Sequence, residues 1–343
     1  MPVQVNRRQF LAVSGTLAAG LGLGGRARAQ SPATAAPAAP AFTTRPKKAL
    51  IQNRPTEAYL REVKAAGFDG LEARTVPPAE AAGIRRVADG LGMWIHSVIK
   101  GTSLFNSPDQ SVVARAFAET EDAIRSAEAF GADVVLLVPA RVEARTPGGA
   151  GNREGILLPR PWEFQIEFDE RTGHVSRVVA GDNAPYAEYI RAQNHAVDAS
   201  TEMVTRLIPI AERAGVVIAI ENVWNNLWAT PAYFRHYVAS FQSPWVRAYY
   251  DIGNHVKFGR PEEWILTLGS LIVKIHVKDY LLDPLDADGQ GTWVDIREGS
   301  VRWPIVRTAL EQIGYDGWMT IEAPVDIDVP EQSRRLDLIL AGQ

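Results

Sequence analysis

Three carboxylates and one imidazole stand at or near the ends of four apolar runs in this 343-residue sequence. Ile218-Ala219-Ile220 leads to Glu221, Tyr249-Tyr250 to Asp251, Lys274-Ile275 to His276, and Thr320-Ile321 to Glu322. Apolar runs must be buried, and burying three carboxylates close together is costly unless a cation compensates them. Three carboxylates and an imidazole form a hard, oxygen-rich donor set. It suits one divalent ion: Mn²⁺, Mg²⁺ or Co²⁺, with Zn²⁺ as an alternative. Taken singly, each residue has a bland reading: a helix cap or solvated loop residue for a glutamate, a satisfied polar group for a histidine. The repetition on four successive strands is what points to a site.

The elements that must position these groups are legible from periodicity. From Lys47 onward, short apolar runs alternate with helical patterns, the signature of βα units around a parallel sheet. Strands are expected at 49–52, 71–74, 94–99, 134–138, 216–220, 246–250, 272–277 and 318–321, with helices at 56–66, 78–91, 109–130 and 185–214. Eight strands with intervening helices fit a closed (β/α)₈ TIM barrel, whose active face lies at the C-terminal strand ends. No glycine-rich phosphate fingerprint follows the first strand, which argues against a dinucleotide fold.

Residues 141–184 interrupt the rhythm as an insertion after strand four. Trp162, Phe164, Ile166 and Phe168 alternate with polar residues, Asp169 to Gly173 is a turn signal, and residues 174–179 return as a second strand. The pattern predicts a β-hairpin, either covering the barrel mouth or serving as a decoration or oligomer contact.

There are no cysteines, so disulfides, thiolate metal sites and cysteine nucleophiles are excluded. The formal net charge is −4 and no Lys/Arg cluster marks the body of the chain, so no nucleic acid partner is expected. At the N-terminus, Asn6-Arg7-Arg8-Gln9-Phe10-Leu11 places a twin arginine before a short apolar stretch, and Ala27-Arg28-Ala29 resembles a cleavage site. Residues 1–29 thus read as a twin-arginine signal peptide, implying the twin-arginine export machinery as a partner and the periplasm as location. Cleavage after Ala29 removes four arginines and no acid, taking the charge from −4 to −8. Residues 30–46, rich in Pro and Ala, read as a disordered linker ahead of the barrel at 47–343.

Several segments resemble one family. Glu221-Asn222-Val223-Trp224-Asn225-Asn226, Asp251-Ile252-Gly253-Asn254-His255-Val256-Lys257-Phe258-Gly259, His276-Val277-Lys278-Asp279 and Gly314-Tyr315-Asp316-Gly317-Trp318-Met319-Thr320-Ile321-Glu322 resemble the later strand motifs of xylose-isomerase-like sugar isomerases and epimerases. Within it, the nearest group is that of L-ribulose-5-phosphate 3-epimerase and hexulose-6-phosphate isomerase. Glu298-Gly299 before Trp303 is similar to that family's loop ahead of its last helix. The resemblance implies that Glu221, Asp251, His276 and Glu322 bind one divalent metal. It also implies that Glu221 and Glu322 act as the catalytic acid and base on a small-molecule sugar, and that the protein pairs as a homodimer. The chemistry would be proton abstraction next to a carbonyl, through an enediolate, ending in epimerisation or isomerisation.

Secondary candidates for substrate contact are Lys278, on the same strand face as His276, and Asn254 and His255, which follow Asp251. Relatives often carry a histidine where this chain has Asn254. His96 on strand three and Glu72 on strand two are further candidates, each with a structural role as the alternative. Trp224 and Trp228 would stack on a sugar ring or simply pack. His174, His195 and His236 read as surface residues. Export disfavours a phosphorylated substrate and favours an unphosphorylated keto-sugar or sugar derivative. The alternatives are a metal-dependent lyase eliminating from 3-keto-glycosides and a non-catalytic periplasmic sugar-binding barrel. A metal-dependent endonuclease is disfavoured by the acidic charge and sparse histidines.

Overall fold

The computed structural model describes residues 42–145, 155–286, 290–322 and 326–343. Residues 1–29, expected as a signal peptide, and most of the expected linker lie outside the described residues. Eight parallel strands close into a barrel: β1 (Lys47–Ile51), β2 (Gly70–Arg74), β3 (Trp94–Thr102), β4 (Val134–Val138), β5 (Val217–Glu221), β6 (Val246–Asp251), β7 (Ile272–Val277) and β8 (Trp318–Ile321). Each strand pairs with its neighbours in sequence, and β8 closes on β1 through Lys47↔Trp318 to Leu50↔Ile321. The helices are α1 (Glu57–Ala65), α2 (Pro78–Gly90), α3 (Gln110–Phe130), α4 (Ala187–Ala214), α5 (Pro231–Ser240), α6 (Pro261–Leu268), α7 (Trp303–Gln312) and α8 (Val329–Leu340). Among the described residues no helix is long and apolar enough to cross a membrane.

Local chemistry sets the helix ends. Thr56, Asp109 and Asp328 accept from main-chain N–H groups of the first turns of α1, α3 and α8, satisfying donors that have no intrahelical partner. Gly215 ends α4 at φ 65°, where a side chain would be strained. Alternation along the strands then separates two cores. Val135 and Leu137 face the helices, whereas Val134, Leu136 and Val138 pack inside the barrel with Ile99, Ala219 and Tyr249.

The described part of the insertion is slighter than the alternation suggested. Residues 144–145 pair in parallel with 156–157, and Glu167–Phe168 pairs with Val175–Arg177 as an antiparallel hairpin. Asp169 shapes its turn by accepting from Arg171 and Thr172 N–H. The hairpin lies along α4 and α5. Phe168 packs on Tyr233 at 4.9 Å and His236 at 4.7 Å, and Tyr233 donates to Gly173 O at 2.8 Å. Nearer the strand ends, Phe164 of the insertion reaches Phe258, in the turn that follows β6, at 6.3 Å. Here His174 pairs with Asp198 and His195 is exposed, as expected, but His236 is half-buried beneath Phe168.

Two further features escaped periodicity. Residues 279–282 and 291–294 form an antiparallel ribbon after β7. Residues 42–46, assigned by composition to the linker, are held against the barrel instead. Thr43 and Thr44 donate to the Glu311 carboxylate, and Phe42 lies 3.9 Å from the Arg307 guanidinium.

Candidate metal centre

Side chains two residues apart on a strand share a face. Ala219 points into the barrel, and so does Glu221; Tyr249 carries Asp251 inward in the same way. Asp251 is in register with His276, and His276 with Thr320, two residues before Glu322. One ligand atom from each of Glu221, Asp251, His276 and Glu322 lies within 4.8 Å of the other three. Glu221, Asp251 and His276 are buried, whereas the Glu322 side chain is 36% exposed and opens toward solvent.

The imidazole has a fixed orientation. His276 Nε2 lies 2.6 Å from Glu72 Oε2, whose other oxygen accepts from Ser97 Oγ at 2.6 Å. Nε2 donates to Glu72, so Nδ1 faces the three carboxylates, 3.5 Å from Glu221 Oε1 and 3.9 Å from Asp251 Oδ2. It comes within 2.8 Å of Glu322 Oε2 without hydrogen-bond alignment. Glu221 Oε1, Asp251 Oδ2 and His276 Nδ1 are all buried without a hydrogen-bond partner. Converging buried acceptors of this kind are costly unless a cation satisfies them.

The electrostatics carry the same message. Burial pushes Asp251 up to about 7 against the pull of Lys278, and raises Glu221 against that of His276. Burial by itself would lower His276, yet Glu72 and Glu322 hold it well above its ordinary value. Glu322, which burial would raise, is held well below the usual carboxylate range by His276 and Lys278. The raised carboxyls and the cationic imidazole both offset the crowding of negative charge around Glu322, which a divalent cation would also offset. The donor set fits such an ion.

Of the secondary candidates, Lys278 belongs here. Its Nζ lies 3.7 Å from Asp251 Oδ2 and 3.6 Å from Glu322 Oε1. Glu72 is fully buried against His276 and orients the imidazole, so it is not a substrate contact. His96 is buried lower in the barrel, stacked on Trp318 at 4.3 Å and bonded to Thr320 at 3.0 Å. Burial holds it well below its ordinary pKa, and its role is packing. His255 turns outward between Tyr250 and Trp264 and bonds the Asp251 carbonyl at 2.6 Å. Asn254 works through its main chain: its N–H caps Asp251 Oδ1 at 2.7 Å and its carbonyl accepts from Trp224 Nε1 at 2.9 Å. Trp224 is a wall residue, stacked on Trp293, with Lys257 Nζ 3.3 Å from its ring centroid. Trp228 is fully buried on Tyr237.

Ser97, which fixes Glu72, carried no sequence signal. It faces inward because the register with β2 shifts between Leu71 and Glu72, leaving His96 as an extra residue. Beside Glu322, a cavity of about 520 Å³ opens between the ends of β1, β2 and β8. Another hollow of about 500 Å³, between α3 and α4, touches none of the four converging residues.

The model of the xylose isomerase-like TIM barrel family matches residues 160–338. The chain belongs to this family. Among solved structures, a D-tagatose 3-epimerase-like protein superposes with a TM-score of 0.61 at 19% identity, over 85% of this chain and 98% of that one. A xylose isomerase domain protein from Planctomyces limnophilus gives 0.59 at 16% identity, over 86% and 95%. The 3-keto-D-glucoside 4-epimerase of E. coli gives 0.60 at 12% identity, over 86% and 99%. These likenesses are ones of fold. An uncharacterized protein from Methanocaldococcus jannaschii is 27% identical over 132 residues, 37% of this chain and 43% of that protein. The match thus spans less than half of that relative.

Proposed function

We propose that this protein is a divalent-metal-dependent sugar isomerase or epimerase acting on an unphosphorylated keto-sugar or sugar derivative. The convergence of Glu221, Asp251, His276 and Glu322, with three buried unpartnered acceptors among them, carries the reading. These four would hold the ion, which when bound supplies electrophilic polarisation of a substrate carbonyl and so acidifies the neighbouring C–H. Glu221 and Glu322 reach the centre from β5 and β8, with β6 and β7 between them, so the two carboxylates can address different faces of a substrate. One removes the proton beside the carbonyl and the other returns a proton. Return to the same carbon from the other face is epimerisation, and return to the neighbouring carbon is isomerisation. Lys278 Nζ, poised over Asp251 and Glu322, would steady a developing oxyanion.

The N-terminal pattern supports export to the periplasm, where unphosphorylated sugars are the available class. The 3-keto-D-glucoside 4-epimerase among the structural neighbours keeps a second reading in view, a lyase that eliminates from a 3-keto-glycoside after the same proton abstraction. Release of the aglycone would identify the lyase, and an intact glycosidic bond with inverted configuration the epimerase.

The primary test is metal content of protein purified without added metal, beside His276→Ala. About one divalent ion per chain, lost in the variant, supports the centre. No metal in either, and no binding on titration, would replace the enzyme by a sugar-binding barrel.

A further inference from the structure

Arg74 stands two residues after Glu72 at the end of β2. Glu72 points inward to His276, so Arg74 leaves the same strand face one step nearer the mouth. Its Nε donates to Asn53 Oδ1 at 2.7 Å, and its main-chain N–H bonds Asn53 O at 3.3 Å. Two neighbouring strand ends therefore fix one edge of the guanidinium. Among the described residues no carboxylate lies within ion-pair distance of it, whereas nearby cations are taken: Arg54 by Glu80 at 3.6 Å and Lys100 by Glu119 at 3.3 Å.

Arg74 lines the 520 Å³ cavity that also holds Glu322. Of the other acids there, Asp328 caps α8 through Glu331 N–H at 2.9 Å, and Glu62 is exposed on α1. Arg74 also borders a hollow with Glu119 and Asp122, of which Glu119 is engaged by Lys100, and it forms no ion pair with any of these acids among the described residues. A guanidinium held along one edge and without an ion-pair partner, in the cavity that holds Glu322, calls for an anion supplied from outside. A planar guanidinium with free N–H groups matches a carboxylate in a two-point contact.

We infer that Arg74, held by Asn53, receives a carboxylate at the distal end of the substrate, so that the substrate class is a keto-sugar acid. This rests on the isomerase reading and narrows its substrate. A carboxylate at the end opposite the carbonyl would leave the carbonyl to the four converging residues, and Arg74 would offset its repulsion from Glu322.

The test is calorimetric binding of D-fructuronate, D-fructose and D-fructose 6-phosphate to the full Mn²⁺-loaded chain and its Arg74→Met and Arg74→Lys variants. The wild type is expected to prefer the acid over the neutral sugar by about 10- to 100-fold, the range for a hydrogen-bonded charge pair. Arg74→Met should bring that ratio close to one, with Arg74→Lys between. Equal binding of acid and neutral sugar, no binding of the acid, or a preference that survives Arg74→Met overturns the inference. Tighter, Arg74-dependent binding of the phosphate overturns the carboxylate assignment. Failure of the wider reading shows separately: an Arg74-dependent acid preference with no turnover of any keto-sugar acid would sink the isomerase and leave the anion site standing.

Discussion

His276 Nε2 and Glu72 Oε2 lie 2.6 Å apart inside the barrel, with both residues essentially inaccessible to solvent. The contact aims Nδ1 at the carboxylates, and Ser97 braces the far side of Glu72. Glu72→Gln keeps the shape but removes the charge that favours this orientation. Metal affinity is expected to fall about 10- to 100-fold, the usual effect of losing such a partner. Titration with Mn²⁺ would show it, and an unchanged affinity would reduce Glu72 to packing.

In the proposed mechanism Glu221 and Glu322 carry the proton transfers. Glu322→Gln and Glu221→Gln should each lower kcat by about 100- to 10,000-fold. Metal content measured beside the kinetics separates lost proton transfer from a lost ligand. Full turnover in Glu322→Gln would remove the acid/base assignment.

His255 makes stability pH-dependent. Burial lowers its pKa to about 4, while an unfolded chain takes up the proton near about 6.5. Between these values the unfolded state binds more protons, so stability is full above about pH 6.5 and is lost as pH falls toward 4. A gap of this size corresponds to roughly 3 kcal/mol. Urea midpoints at pH 7.5 and 4.5 should separate less for His255→Gln than for the wild type. Parallel pH profiles would show that His255 contributes nothing to acid sensitivity.

Asp279 fastens the loop that follows the ribbon. Its carboxylate accepts from the N–H of Tyr280 at 2.9 Å, Arg297 at 3.0 Å and Val301 at 3.1 Å, and from Trp303 Nε1 at 3.0 Å. Asp279→Ala strands these donors, each costing about 1–3 kcal/mol when buried, so a loss of at least about 3 kcal/mol is expected. Gly299→Ala should also destabilise, because its Cβ would sit 2.1 Å from Asp279 Oδ1. Thermal unfolding of the two variants checks both, and a wild-type midpoint in either would show that the loop has another anchor.

Short apolar runs are a local property, and they were enough to read the eight barrel strands and to place Glu221, Asp251, His276 and Glu322 at or near a common end. The helix starts expected at 56 and 109 fall within one residue of those observed, and Thr56 and Asp109 prove to cap them through donors two or three residues on. Which groups meet across the barrel is not local. Glu72 and His276 are 204 residues apart, and their contact depends on closure and on the shift in β3 register that turns both His96 and Ser97 inward. His255 resembled a mouth residue, but the 3-10 turn Gly253–Phe258 carries it outward onto Trp264. Asn254, through main-chain atoms, and Trp224, through its stack on Trp293, likewise serve the wall rather than the cavity. Sequence spacing determined which face each side chain leaves from; only the tertiary structure decided what stands opposite, because distances between strands are set by barrel register and not by neighbours along the chain.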